Sequence, residues 1–273
     1  MNGKLLQPRH AVLMIVSAIL FSGCSSVSDT PERAWQLVWQ DEFDGPADQL
    51  PDATRWAFDI GTDWGNAQLE YDTNRPKNAS LDGQGNLVIT ARRESFEGQP
   101  YTSARLVSRG LFEQAYGRFE ARIRMPSGQG MWPAFWLLGA NIETVGWPVC
   151  GEIDIMEYRG QEPSRIYGSL HGPGYSGGAA ITRRFDLLGD RYDTGFHVFA
   201  VEWGEDYIDW YVDDTLYQSI TPDDLPGDWV YDHPFFIILN LAVGGNYVGP
   251  PNDNTVFPQT LLVDWVRVYQ EAS

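Results

Sequence analysis

The chain has 273 residues, 43% of them hydrophobic and 14% aromatic, so one core of this size can form without disulfide staples. Nineteen Lys and Arg against 37 Asp and Glu leave a formal charge of −18, which argues against nucleic acid and makes a sulfated or uronic polymer an awkward substrate. The 11 Trp, 13 Tyr and 13 Phe suit a β-rich core plus a surface that packs on something flat, such as a sugar face.

At the start of the chain, Lys4, Arg9 and His10 precede the apolar run Ala11 to Phe21, which ends in Ser22-Gly23-Cys24. The run is short for a membrane span, and its basic start and small final residues read as an export signal. It resembles a bacterial lipoprotein signal with Leu20-Phe21-Ser22-Gly23-Cys24 as the lipobox. That resemblance implies a signal peptide over 1–23 and lipid on Cys24. The lipid would anchor the protein at the cell surface or outer membrane, whereas an ordinary signal cut nearby would leave it secreted. Residues 24–34 are polar and read as a tether. With Cys24 lipidated, Cys150 has no partner, and its expected role is a small buried residue within a strand.

From Trp35 onward, period-two alternation recurs in short runs separated by Gly, Pro, Asn and Asp. Leu87 to Ala91 follows the turn Asp82-Gly83-Gln84-Gly85. Phe119 to Met125 and Phe196 to Trp203 alternate apolar and polar residues. Tyr207 to Val212 and Thr215 to Tyr217 predict a hairpin around Asp213-Asp214, and Phe235 to Val243 and Leu261 to Tyr269 are strongly apolar and β-branched. No stretch holds twelve residues of helical period. The pattern predicts one all-β domain over 35–271, a sandwich or jelly roll.

Three acids fall within Glu152-Ile153-Asp154-Ile155-Met156-Glu157, interleaved with large apolar residues. On a strand, Glu152 and Asp154 share a face, and strict alternation puts Glu157 on the other one. One extra residue near Ile155-Met156, a β-bulge, returns Glu157 to the first face. The two Glu carboxyls would then stand roughly 5 Å apart, the separation of retaining glycoside hydrolysis. In such chemistry one Glu stays ionised to attack the anomeric carbon, the other begins protonated, and Asp154 between them tunes the nucleophile. A structural or Ca²⁺-binding acidic strand is the competing reading of the spacing alone.

Trp147 to Tyr158 resembles the active-site strand of glycoside hydrolase family 16, and most of all its laminarinase branch, the endo-β-1,3-glucanases. The likeness extends in order through Asp41 to Gly45, Trp64 to Tyr71, Tyr101 to Arg105, Met131 to Leu138, Phe235 to Gly245 and Val263 to Tyr269. It implies a concanavalin-like β-jelly roll of two curved antiparallel sheets with a concave substrate cleft. It also implies retaining endo-hydrolysis of internal β-1,3 bonds in a neutral, laminarin-type β-glucan. Carried onto this chain, Glu152 is the nucleophile, Asp154 its supporting acid and Glu157 the acid/base. Trp132, Trp136, Asn66 and Arg105 would hold sugar, and His171 would stand near the acid/base, with Trp147 and Asn240 as further cleft candidates. Family members often carry one structural Ca²⁺ away from catalysis, and the matching positions are Glu42, Gly85 and Asp264. No cofactor is expected for catalysis, and a monomer is the expected state. An agarase-like or mixed-linkage glucanase of the same family, and a lectin-like binder without catalysis, are the alternatives; a binder has no need of both Glu152 and Glu157.

Overall fold

The structure, a computed structural model, describes residues 33–272. The export signal, Cys24 and tether residues 25–32 lie outside the described residues. Ala34–Ser273 forms one compact unit. Its strands, in chain order, begin with β1 (Trp35–Asp41), β2 (Ala57–Asp59), β3 (Glu70–Asp72), β4 (Ala79–Leu81), β5 (Leu87–Phe96) and β6 (Gln99–Ser103). There follow β7 (Arg105–Val107), β8 (Glu113–Gln114), β9 (Gly117–Arg124), β10 (Met131–Gly139), β11 (Glu152–Tyr158) and β12 (Arg165–His171). The last six are β13 (Ile181–Asp186), β14 (His197–Trp203), β15 (Ile208–Val212), β16 (Thr215–Ile220), β17 (Phe235–Val243) and β18 (Gln259–Glu271). A single α-helical turn, Ile142–Val145, and two short 3₁₀ turns complete the elements among the described residues, and no helix there is long and apolar enough to cross a membrane.

The strands form two sheets, giving the all-β jelly roll. One runs β16-β15-β14-β9-β18-β5-β6-β3, with β1 also on β18 and β4 on β5. The other runs β13-β12-β11-β10-β17-β7-β2, with β8 on β17. Alternation places one side of each strand in the layer between them. Ile153, Ile155 and Met156 of β11, Phe135 and Leu137 of β10, and Ile237, Leu239 and Leu241 of β17 meet Phe119, Val201, Trp210 and Val266 of the first sheet, all fully or almost fully buried. β17 is buried along its whole length, because Phe236 and Ile238 are covered on the other face by Val107 and Leu138. The predicted hairpin forms: Asp213 and Asp214 both take positive φ, +46° and +64°, as a two-residue turn between right-twisted strands requires.

Ala104 separates two strands that belong to different sheets, so the chain crosses the sandwich there and delivers Arg105 to the edge of β17. Cys150 corrects an expectation: it is fully buried, but in the turn that precedes β11 and not within a strand. The cause is the tight return from the helical turn, in which the Cys150 N–H bonds the Gly146 carbonyl and the Gly151 N–H the Pro148 carbonyl.

Candidate active site

β11 carries the irregularity that the spacing demands. Against β12, Asp154 pairs with Ser169 and Glu157 with Tyr167, leaving two residues opposite the single Gly168. Against β10, Asp154 pairs with Trp136 and Glu157 with Ala134, again with one residue extra. Ile155 and Met156 both enter the core, and Glu152, Asp154 and Glu157 emerge together on the outer face of the sheet.

The opposite sheet props this bulge. Trp210 Nε1 donates to the Asp154 carbonyl at 2.9 Å. A side chain at Gly168 would bring a Cβ 2.3 Å from the Tyr217 hydroxyl and 2.7 Å from Trp210 Cδ1, so only glycine admits both rings beneath the bulge.

Each acid has its own partners. Glu152 accepts from Trp147 Nε1 at 2.9 Å. Glu157 accepts from Trp132 Nε1 at 3.1 Å and from the Ser169 hydroxyl, itself 2.9 Å from Thr182 Oγ1, at 3.4 Å. His171 Nδ1 accepts the Gly177 N–H, which assigns the ring proton to Nε2, 3.0 Å from Asp154 and 3.7 Å from Glu152. His171, expected near the acid/base, pairs with Glu152 across the ladder and turns its Nε2 to Asp154 in the middle of the row.

Burial pushes Glu152, Asp154 and Glu157 up to about 8, and the charge on Asp154 adds to the rise of both glutamates. Ligand atoms of Glu152, Asp154 and His171 lie within 4.8 Å of one another, a spacing that a metal ion could also use. The hydrogen bonds favour a proton relay instead: the only ring nitrogen of His171 facing the acids carries a proton directed at Asp154.

The two tryptophans of β10 stand on the same face. Trp132 packs on Tyr247 with ring centroids 4.9 Å apart, and Trp136 Nε1 donates to Asn240 Oδ1 at 2.8 Å. Arg105 lies between rings, 5.0 Å from Trp64 and 4.9 Å from Trp136, and pairs with Asp59 at 3.1 Å. Asn66 is exposed, and its carbonyl accepts the Asn246 N–H, which ties its loop to the turn after β17.

Sequence reasoning missed the support behind Arg105. Glu70 and Asp72 are buried on β3; Glu70 accepts the Val243 N–H and Asp72 accepts Trp64 Nε1. Burial raises Glu70 to about 7, and burial together with the Glu70 charge raises Asp72. The only sequence signal for this pair is two acids at period two beside an aromatic.

At the proposed ion site the carboxylates are engaged by arginines. Glu42 makes a two-point pair with Arg267 at 2.8 and 2.9 Å, and Asp264 pairs with Arg122. Gly85 lies next to Asp44 rather than to either carboxylate, a Cβ there standing 3.7 Å from Asp44 Oδ1. These side chains alone therefore do not form a ready acidic cage, and main-chain oxygens would have to supply most of the ligands.

Residues 63–267 match the family described as Glycosyl hydrolases family 16. The chain therefore belongs to that family and is a laminarinase-like glycoside hydrolase. It is 42% identical to a beta-glucanase of Rhodothermus marinus over 98% of this chain and 96% of that protein. It is likewise 42% identical to a glucan endo-1,3-beta-glucosidase of Cryptopygus antarcticus, over 86% of this chain and 92% of the other. Among solved structures, the catalytic domain of an endo-1,3-beta-glucanase (laminarinase) from Thermotoga petrophila superposes with a TM-score of 0.84 at 46% identity, covering 89% of this chain and all of that one.

Proposed function

We propose that the protein is a retaining endo-β-1,3-glucanase acting on laminarin-type β-glucan. The observation that carries this reading is the bulge that sets Glu152, Asp154 and Glu157 side by side, in a chain whose relatives of known activity cut β-glucans. Glu152 attacks the anomeric carbon while Glu157 gives its proton to the departing glycosidic oxygen. Water then attacks the glycosyl-enzyme with Glu157 as base, so the configuration is retained. Asp154, held in place by the His171 Nε2–H and by the Trp210 bond to its main chain, tunes the charge on Glu152. Trp132 and Trp136 pack on pyranose faces, and Arg105 and Asn66 bond sugar hydroxyls on the nonreducing side.

The test is Glu152→Ala. It abolishes hydrolysis of laminarin, and azide restores turnover of an activated β-glycoside as the α-azide. Near-wild-type rates in the variant sink the assignment. A panel of laminarin, lichenan, agarose and carrageenan separates strict β-1,3 cleavage from mixed-linkage and agarase-like activity, and binding without cleavage identifies a lectin.

The same reading includes a monomeric, exported protein with lipid on Cys24, tested by loss of palmitate labelling in Cys24→Ser. It also includes one structural Ca²⁺ at Glu42, Gly85 and Asp264, supported by the pairing of β1 with β18 that brings both chain ends together. Binding there draws on main-chain oxygens, with Asp264 released from Arg122. Catalysis by two carboxylates needs no metal.

A further inference from the structure

Two arginines flank the row of acids, each with its guanidinium against two aromatic rings. Arg105 lies beyond Glu152 and enters the reading above. The second, Arg159, follows Glu157 by two residues and returns to the same side of the sheet, the intervening Tyr158 being fully buried in the core. Its guanidinium lies 4.0 Å from the Tyr247 ring centroid and 4.7 Å from that of Tyr167. Both rings border Glu157: Tyr167 is its partner across the β11–β12 ladder, and Tyr247 packs on Trp132, whose indole N–H bonds Glu157.

The acid contact of Arg159 is weak. Its Nη1 stands 3.7 Å from Glu162 Oε1, too long for a hydrogen bond, while Glu162 accepts the Tyr167 hydroxyl at 2.6 Å. Nε is covered and has no partner, yet the side chain keeps 28% of its surface open. The two ring planes lie 75° apart with centroids 6.0 Å from each other, so the rings wall the guanidinium on two adjoining sides and leave its open N–H groups as donors beside the proton donor.

We infer that Arg159, packed against Tyr167 and Tyr247, forms the subsite for the first sugar of the departing chain. This rests on the assignment of Glu157 as the acid. The oxygen that Glu157 protonates is bonded to that departing sugar, so its hydroxyls must lie on the Glu157 side of the row. A neutral pyranose offers only hydroxyl acceptors and a C–H face, which match a fixed guanidinium and aromatic rings. A uniformly acidic wall would supply neither a donor nor a ring.

The experiment compares laminarin with 4-nitrophenyl β-laminaribioside, which carries no sugar on the departing side. In Arg159→Ala, kcat/KM for laminarin falls about ten- to a hundredfold, the scale of a lost charged hydrogen bond, while the aryl substrate changes by no more than about twofold. Arg159→Lys, which keeps the charge, recovers part of the loss on laminarin, and melting temperatures confirm that both variants are folded. Equal losses on the two substrates overturn the proposal, because Arg159 would then only hold Trp132 and Glu157 in place. No loss on laminarin overturns it as well. A wild-type chain that cuts neither substrate overturns the functional reading and the proposal with it.

Discussion

Replacing Glu152 by Gln should make the protein more stable as it removes activity, and the gain should depend on pH. Burial and the neighbouring Asp154 raise the Glu152 carboxyl from 4.5 to about 8. Between those values the folded protein holds a proton that the unfolded chain has released. Stability therefore falls as pH rises from 4.5, and the penalty is complete above about 8. At pH 7 about 2.5 pH units of that window have been crossed, worth about 3 kcal/mol at about 1.4 kcal/mol per unit. Coupling to Asp154 divides this sum, so the expected gain from Glu152→Gln is about 1–3 kcal/mol at pH 7. The amide oxygen can still accept the Trp147 N–H, so no hydrogen bond is sacrificed. For a domain of this size that is a rise of roughly 2–10 °C in melting temperature. Differential scanning calorimetry from pH 4.5 to 8 measures it. The advantage should vanish near pH 4.5 and grow steadily above it. A difference that stays constant with pH, or a variant that melts lower at pH 7, refutes the account of buried carboxyls.

Three further outcomes follow from particular contacts. Trp132→Phe removes the N–H that favours ionised Glu157, so the acid/base should keep its proton longer and the alkaline limb of kcat/KM should move up by about 0.5–1 pH unit; an unmoved limb counts against that bond. Gly168→Ala forces a Cβ against Tyr217 and Trp210 beneath the bulge and should lower stability in urea by about 1–3 kcal/mol, with kcat reduced where the protein remains folded. If both stay at wild-type values, the bulge is not supported from below. Chelation should lower the melting temperature while activity at room temperature persists, and a scan indifferent to both EDTA and added Ca²⁺ removes the ion at Glu42, Gly85 and Asp264.

Local patterns carried much of the architecture. Alternation located β5, β9, β14 and the hairpin β15–β16, because each of these strands has one side in the common core. The bulge was also legible, since two consecutive core residues between acids have no place in a regular half-exposed strand. Contacts between distant segments were not legible. The clamp on Arg105 draws Asp59, Trp64, Asp72 and Trp136 from four places in the chain, and nothing local marks either acid as a partner of an arginine. The same holds for Glu42 and Asp264, which read as free oxygen ligands until Arg267 and Arg122 are found on them. The acid that His171 touches was not legible either, because loop length says nothing about antiparallel register, and register decides which acid the ring faces.

That register links the site to the whole sandwich. Three carboxyls crowded on one strand oppose folding at neutral pH, and an isolated strand would relieve the crowding by straightening and turning Glu157 away. What prevents this lies on the far side of the core. Trp210 holds the Asp154 main chain, and Tyr217 and Trp210 occupy the space that glycine leaves at 168. Straightening β11 would break a buried indole hydrogen bond and withdraw Ile155 or Met156 from the core, about 2–5 kcal/mol for either side chain. That is comparable to the penalty assigned above to Glu152. The acids can therefore be held together only while both sheets are intact, and variants of Trp210 should lose the hydrolytic arrangement before they lose the β-sandwich.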